Sequence, residues 1–311
     1  MIYTITLNPA VDYFISLPSN LVKNEVNRGT DEIYKAGGKG LNVSRVLSLY
    51  GISSKAVCLL GGFTGNYIRD SYDTDPLISV VPVWIQGTNR INVKAGHGKE
   101  ALVINGTGPK ADAKALNDLL QEIGKVCAED QVILSGSVMR GIDEAFIIRF
   151  CQIVHEQKAS LIMDMELKDD SLLKQCRPDL IKPNLYELRM LMKDESITKE
   201  NLGEKVQPLL DEGVGEILIS LGKDGAALIT GDSTLIMDQP HTVLVNKVGA
   251  GDAMLASYVG KRSQGCSRKE ALIYAGAAGN ATASKIENIS LQDIEAYKDV
   301  ISVTEVRKRG A

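Results

Sequence analysis

The chain has 311 residues, 44% hydrophobic and 24% charged, with a formal net charge of −4. That is the balance of a globular protein with room for a large core, and a mildly acidic chain without a basic tract gives no electrostatic reason to expect nucleic acid or an anionic membrane as partner. The five cysteines are scattered and lack CxxC spacing, which argues against a disulfide framework or a zinc site and predicts a reducing, cytoplasmic setting.

Residues 2–7 alternate like a strand that begins the fold at once, with no basic leader and no membrane-length apolar run anywhere. Residues 11–35 and 90–105 also read as alternating strands, the second turning at Gly96-His97-Gly98. They predict a small separate sheet over one end of the main one. From about residue 110 short apolar strands and helices take turns. Val132-Ile133-Leu134 precedes a helix at 143–157, and Leu161-Ile162-Met163 and Leu180-Ile181-Lys182 follow. A helix from about 185 and an amphipathic stretch at 199–211 come before Ile217-Leu218-Ile219, and helices at 251–263 and 268–286 close the pattern. This is the signature of a parallel sheet covered on both faces. Residues 1–311 read as one α/β domain with a discontinuous β lid.

The segment Gly249-Ala250-Gly251-Asp252 opens an apolar helix. Small residues there let several backbone N–H groups and the helix dipole converge on an anion. Asp252, in the first turn, is placed to take a proton from a hydroxyl held nearby. A plain helix start with a dipole-stabilising aspartate would look the same. A Rossmann fingerprint fails because Met254 stands where its third small residue belongs, and no GxxxxGK[ST] occurs. A second cluster, Gly37-Gly38-Lys39-Gly40, leads into a helix from Leu41 to Tyr50 with Asn42 in its first turn, and Asp12 follows the first strand.

TLNPAVD, Val26-Asn27-Arg28, AGGKGLNVSRVL, Thr88-Asn89-Arg90-Ile91-Asn92, Ser135-Gly136-Ser137, Ile181-Lys182-Pro183-Asn184, Ser220-Leu221-Gly222 and VGAGD occur in this order across nearly the whole chain. Together they resemble the ribokinase-like (PfkB) carbohydrate kinases, in particular the 1-phosphofructokinase and tagatose-6-phosphate kinase branch. The resemblance implies a three-layer α/β/α sandwich with a mostly parallel central sheet and a small β-sheet lid, through which relatives often dimerise. It implies ATP and Mg²⁺ as cofactors. Asp252 becomes the catalytic base, and the N–H groups of Gly249, Ala250 and Gly251 an anion hole. Asn184 and Glu187 match an NxxE segment associated with Mg²⁺ and nucleotide phosphates through water, beside Lys182. Ser220, Gly222 and Gly225 match the nucleotide loop, with Asn280 at the adenine side. Asp12, Gly37, Gly38 and Asn42 match residues that hold sugar hydroxyls. Arg28, Lys39, Arg90 and Ser137 resemble the set that binds a phosphate already on the sugar.

Some positions depart from the family pattern. Lys247 stands where a small or hydroxyl residue is usual, and is expected to contribute to ATP turnover. Asp164-Met165-Glu166-Leu167 replaces Asp-x-Ser-Gly, and Val138-Met139-Arg140 replaces a Leu-Pro pair. The expected reaction is ATP-dependent phosphorylation of fructose 1-phosphate to fructose 1,6-bisphosphate. Tagatose 6-phosphate is the alternative substrate, and an inactive sugar-phosphate-binding regulator is the alternative of another class.

Overall fold

The structure is a computed structural model and describes residues 1–97, 100–238, 244–245, 248–285 and 287–307. Its strands are β1 (Ile2–Thr6), β2 (Ala10–Ser16), β3 (Asp31–Gly37), β4 (Ser54–Leu60), β5 (Ile78–Trp84), β6 (Arg90–His97) and β7 (Glu100–Asn105) in the first third. β8 (Gln131–Ser135), β9 (Ser160–Asp164), β10 (Leu180–Ile181), β11 (Glu216–Ser220), β12 (Ala226–Ile229), β13 (Ser233–Asp238) and β14 (Ser302–Arg307) follow. The helices are α1 (Lys39–Leu49), α2 (Gly62–Asp70), α3 (Ala113–Ile123), α4 (Glu144–Glu156), α5 (Ser171–Cys176) and α6 (Leu185–Met192). After them come α7 (Leu202–Lys205), α8 (Gln207–Asp211), α9 (Ala250–Ser263), α10 (Arg268–Ala283) and α11 (Leu291–Lys298). None is long and apolar enough to cross a membrane.

Ten strands form one sheet in the order β14-β13-β12-β11-β10-β9-β8-β1-β4-β5. From β11 through β5 every neighbouring pair is parallel. The β11–β14 end is antiparallel, which the apolar-run pattern did not reveal. Because side chains alternate across a strand, Val132 and Leu134 enter one core while Ile133 enters the other. Phe150 of α4 and Leu119 of α3 pack in the first core, and Leu47 of α1, Leu255 of α9 and Leu272 of α10 in the second. The result is a three-layer α/β/α sandwich. The stretch at 199–211 is two short helices, the second with Pro208 at its start, rather than one continuous helix.

The smaller sheet has the order β3-β2-β6-β7. Its strands run on through His97, so no turn falls at Gly96-His97; Gly98 lies outside the described residues. The β2–β6 pairing is parallel and sets Asp12 opposite Asn92. Val11 and Ala36 root this sheet in a third cluster with Leu41 and Ile68. The other face of the sheet looks across a cleft toward α1 and the start of α9.

Candidate active site

Parallel pairing carries the C-terminal ends of β1, β8, β9, β10 and β11 to one edge of the sheet, where ligand groups of open α/β sheets gather. There the chain turns into α1, α6 and α9. Gly249, at φ +84, caps α9 and starts it so that Asp252 falls in the first turn, 6% exposed. The amide of Asn42 on α1 donates to Asp252 Oδ2 at 2.7 Å. Gly38 lets the start of α1 pack against β1: its φ is +146, and a Cβ there would stand 2.6 Å from the Thr6 side chain.

Asp164, at the end of β9, binds two lysines through one oxygen. Lys39 Nζ lies 3.2 Å and Lys182 Nζ 3.4 Å from its Oδ1. Asp164 is 2% exposed, and its Oδ2 has no hydrogen-bond partner among the described residues. The Lys182 ammonium would lie 3.1 Å from a Cβ on Gly251, so a cation stands directly against the backbone that opens α9. Burial pushes the Asp252 carboxyl up to about 6, and the Asp164 charge pushes the same way. The Asn42 hydrogen bond and the charges of Lys39 and Lys182 oppose them. Burial works against the charge on Lys39, but Asp164 and Asp252 outweigh it and hold the ammonium above its ordinary value. A carboxylate tuned toward neutrality beside two ammonium groups can accept a proton while phosphate charge is stabilised.

On the lid side, Asn92 donates to Asp12 Oδ1 at 2.9 Å, and Lys94 lies 3.6 Å from Oδ2. Gly37 lets the strand pass Asp12, since a Cβ there would be 3.1 Å from Oδ2. Arg90 donates to the Asn8 carbonyl at 3.1 Å, and Asn8 in turn reaches the Ser137 hydroxyl at 3.2 Å. Burial draws the Arg90 guanidinium below its ordinary value, with Asp12 opposing. The Lys39 stem runs alongside Gly136, one residue before Ser137. Lys39, Arg90 and Ser137 thus share the base of the lid. Arg28, the fourth expected member of that set, is exposed in the connection between β2 and β3.

Asn184 and Glu187 form a capping box at the start of α6: the Glu187 amide donates to Asn184 Oδ1 at 2.9 Å and the Asn184 amide to Glu187 Oε2 at 2.8 Å. A backbone bridge sets Ser220 beside Asn184. Gly222 has φ +60 and Gly225 φ +94, and a Cβ on Gly225 would fall 1.9 Å from the Met237 carbonyl. Asn280 is buried in α10 and donates to the Gly276 carbonyl at 3.0 Å. Lys247 lies outside the described residues. Asp164 keeps the aspartate of the Asp-x-Ser-Gly pattern, while Glu166 and Leu167 depart from it, and no role was assigned to Asp164 from sequence. Its signal was local: a carboxylate ending a buried parallel strand.

The cleft between lid, α1 and α9 has a volume of about 420 Å³ and is lined by Asp12, Gly37, Asn42, Lys94 and Gly249 among others. A cleft of this size at a helix N-terminus, with a buried carboxylate and two lysines near the starts of α9 and α1, suits an ATP-dependent kinase acting on a carbohydrate. The sequence pattern of the pfkB family carbohydrate kinases matches residues 5–294, and the chain belongs to that family. It is 36% identical to D-tagatose-1-phosphate kinase of Bacillus licheniformis, over 91% of this chain and 92% of that one. It is 31% identical to 1-phosphofructokinase of Bacillus subtilis, over 98% and 99% of the two chains. A Staphylococcus aureus crystal structure assigned to a phosphofructokinase superposes with a TM-score of 0.86 at 32% identity, covering 99% of both chains.

Proposed function

We propose that this protein transfers the γ-phosphoryl group of ATP to the C6 hydroxyl of a ketohexose 1-phosphate, fructose 1-phosphate first. The observation that carries the reading is the cluster of buried Asp252 with Asp164 and the two lysines, Lys39 and Lys182, that share Asp164 Oδ1. Asp252 takes the hydroxyl proton as the oxygen attacks phosphorus, and the bond from phosphorus to the bridging oxygen of ADP breaks. The N–H groups of Gly249, Ala250 and Gly251 receive the developing charge, with Lys182 beside them. Ser220, Gly222, Gly225 and Asn280 hold the nucleotide, and Lys247, two positions before Gly249, is assigned to ATP turnover. Asp12, Gly37, Gly38 and Asn42 hold sugar hydroxyls. Lys39, Arg90 and Ser137 hold the sugar's own phosphate. Arg28, on the exposed β2–β3 connection, is assigned to the same set.

Among the described residues no three acidic, histidine or cysteine side chains converge as a metal cage. One carboxylate and one amide, Glu187 and Asn184, suit a hydrated Mg²⁺ that keeps most of its water. Mg²⁺ bound with the nucleotide would neutralise charge on its phosphates, and these two residues would hold its hydration shell.

Tagatose 1-phosphate is the second substrate reading, favoured by likeness to the Bacillus licheniformis enzyme. It is placed ahead of tagatose 6-phosphate, because the names of both relatives put the phosphate at C1. ADP release with fructose 1-phosphate, tagatose 1-phosphate, tagatose 6-phosphate, fructose 6-phosphate and free fructose tests the assignment. Turnover of free fructose alone would remove the phosphate role from Lys39 and Arg90. Binding without any turnover would favour the inactive regulator.

A homodimer through the lid belongs to the same proposal. Tyr34, Leu102 and Ile104 leave a half-exposed apolar face on the small sheet. Ile104→Lys is expected to yield monomers in sedimentation, and an unchanged mass would reject the lid interface. All the described cysteines are free thiols, which suits the proposed cytoplasmic setting.

A further inference from the structure

Arg90, Asn92 and Lys94 occupy alternate positions of β6, and alternate residues of a strand share a face. In the proposed function Arg90 holds the sugar's own phosphate. Asn92 and Lys94 both reach across to Asp12, at 2.9 Å and 3.6 Å, on different carboxylate oxygens. Lys94 is drawn out of solvent: its side chain is 17% exposed, and its ammonium lies 4.6 Å from the Phe14 ring centroid. Asp12, Phe14 and Lys94 all line the cleft.

The separation between Lys94 and Asp12 exceeds a hydrogen bond, so one oxygen atom can stand within hydrogen-bond reach of both. A carboxylate only accepts and an ammonium only donates, whereas a sugar hydroxyl does both. A hydroxyl placed there completes a pair that direct contact leaves open. Asn92 adds an acceptor one step nearer Arg90, because its buried Oδ1 has no hydrogen-bond partner among the described residues.

The order along β6 assigns the hydroxyls. With the C1 phosphate beside Arg90 and Lys39 and the C6 hydroxyl at Asp252, the C3 and C4 hydroxyls form the edge between. Running from Arg90 toward Lys94 leads away from C1, which sets Asn92 at C3 and Lys94 at C4. We propose that Lys94 is a specificity-determining residue that, together with Asp12, reads the C4 hydroxyl of the bound ketohexose 1-phosphate. The inference rests on the proposed function and deepens it, because fructose and tagatose 1-phosphates differ only in configuration at C4.

The test measures kcat/KM for both 1-phosphates and for 4-deoxyfructose 1-phosphate, in wild-type protein and in Lys94→Met. A site built to hydrogen-bond a hydroxyl rejects the analogue lacking it. Wild-type protein is expected to lose about 10–100-fold on the 4-deoxy compound, the worth of a hydrogen bond to a charged group. Lys94→Met should bring the fructose-to-tagatose ratio closer to unity by about tenfold and show little further loss on the 4-deoxy compound. An unchanged ratio, or equal losses on both epimers, overturns the role of Lys94 alone. Should Lys94→Met fail to fold, the wild-type comparison still decides: full activity on the 4-deoxy compound overturns the inference. Turnover of neither 1-phosphate by wild-type protein overturns the proposed function, and this inference with it.

Discussion

The side-chain amide of Asn42 donates to Asp252 Oδ2 at 2.7 Å, joining the starts of α1 and α9 across 210 positions of sequence. The bond orients a carboxylate whose charged form burial disfavours, and it does so from the same first turn of α1 that carries Lys39.

Replacing Asp252 by Asn should separate activity from stability. Loss of the base is expected to lower kcat by about 10²–10⁴. The folded carboxyl sits near 6, raised from 3.8. Its ionisation therefore costs folding nothing at low pH, and the cost develops as pH rises from about 4 to about 6. At neutral pH the penalty is about 3 kcal/mol at most, so Asp252→Asn should melt at a higher temperature than wild type. Calorimetry beside steady-state kinetics checks both; a variant that keeps near-normal kcat would take the base role from Asp252.

The acid limb of the kcat profile should follow the same group, falling below a midpoint of about 6. Asp164 raises that midpoint by its charge, so Asp164→Asn should shift the limb to lower pH. The same change strips Lys182 and Lys39 of their shared partner, and breaking such a pair is expected to cost about 3–5 kcal/mol of stability. A limb that stays in place in a folded Asp164→Asn variant would dissociate Asp164 from the titration of Asp252.

Gly225→Ala is expected to destabilise the protein by at least about 3 kcal/mol. The position needs φ +94, and an added Cβ meets the Met237 carbonyl at 1.9 Å, which is backbone and cannot swing aside. Chemical denaturation gives the number. A loss below about 1 kcal/mol would mean that β12 and β13 part easily enough to admit a methyl group.

Glu187→Gln tests the metal role without removing the helix cap, because Gln serves at this position of a capping box as Glu does. Stability should change by no more than about 0.5 kcal/mol. The Mg²⁺ concentration for half-maximal activity should rise about tenfold or more, the usual worth of an outer-shell partner. An unchanged Mg²⁺ requirement would leave Glu187 as a cap only.

Much of this architecture was legible in short stretches of chain. Val132-Ile133-Leu134 reads as a strand covered on both faces because each residue needs only an apolar neighbour on its own side. The glycines at 37–40 and 249–251 mark the helix starts that hold Asn42 and Asp252, since positive φ and close backbone approach are local demands. The antiparallel end at β12–β14 and the break in the 199–211 helix were not legible, because strand direction and helix packing depend on distant partners.

The sequence by itself determined the kinds of group available: one acid after a glycine turn, cations beside glycines, and a carboxylate with an amide at NxxE spacing. Only the tertiary structure decided their partners. It joined Asp164 to two lysines that stand 125 and 18 positions away in the chain, gave Asp12 to Asn92 and Lys94, and left Arg28 exposed on the lid. Conformation follows from each residue's own sterics, whereas the energy of a charge is set by whichever groups share its burial.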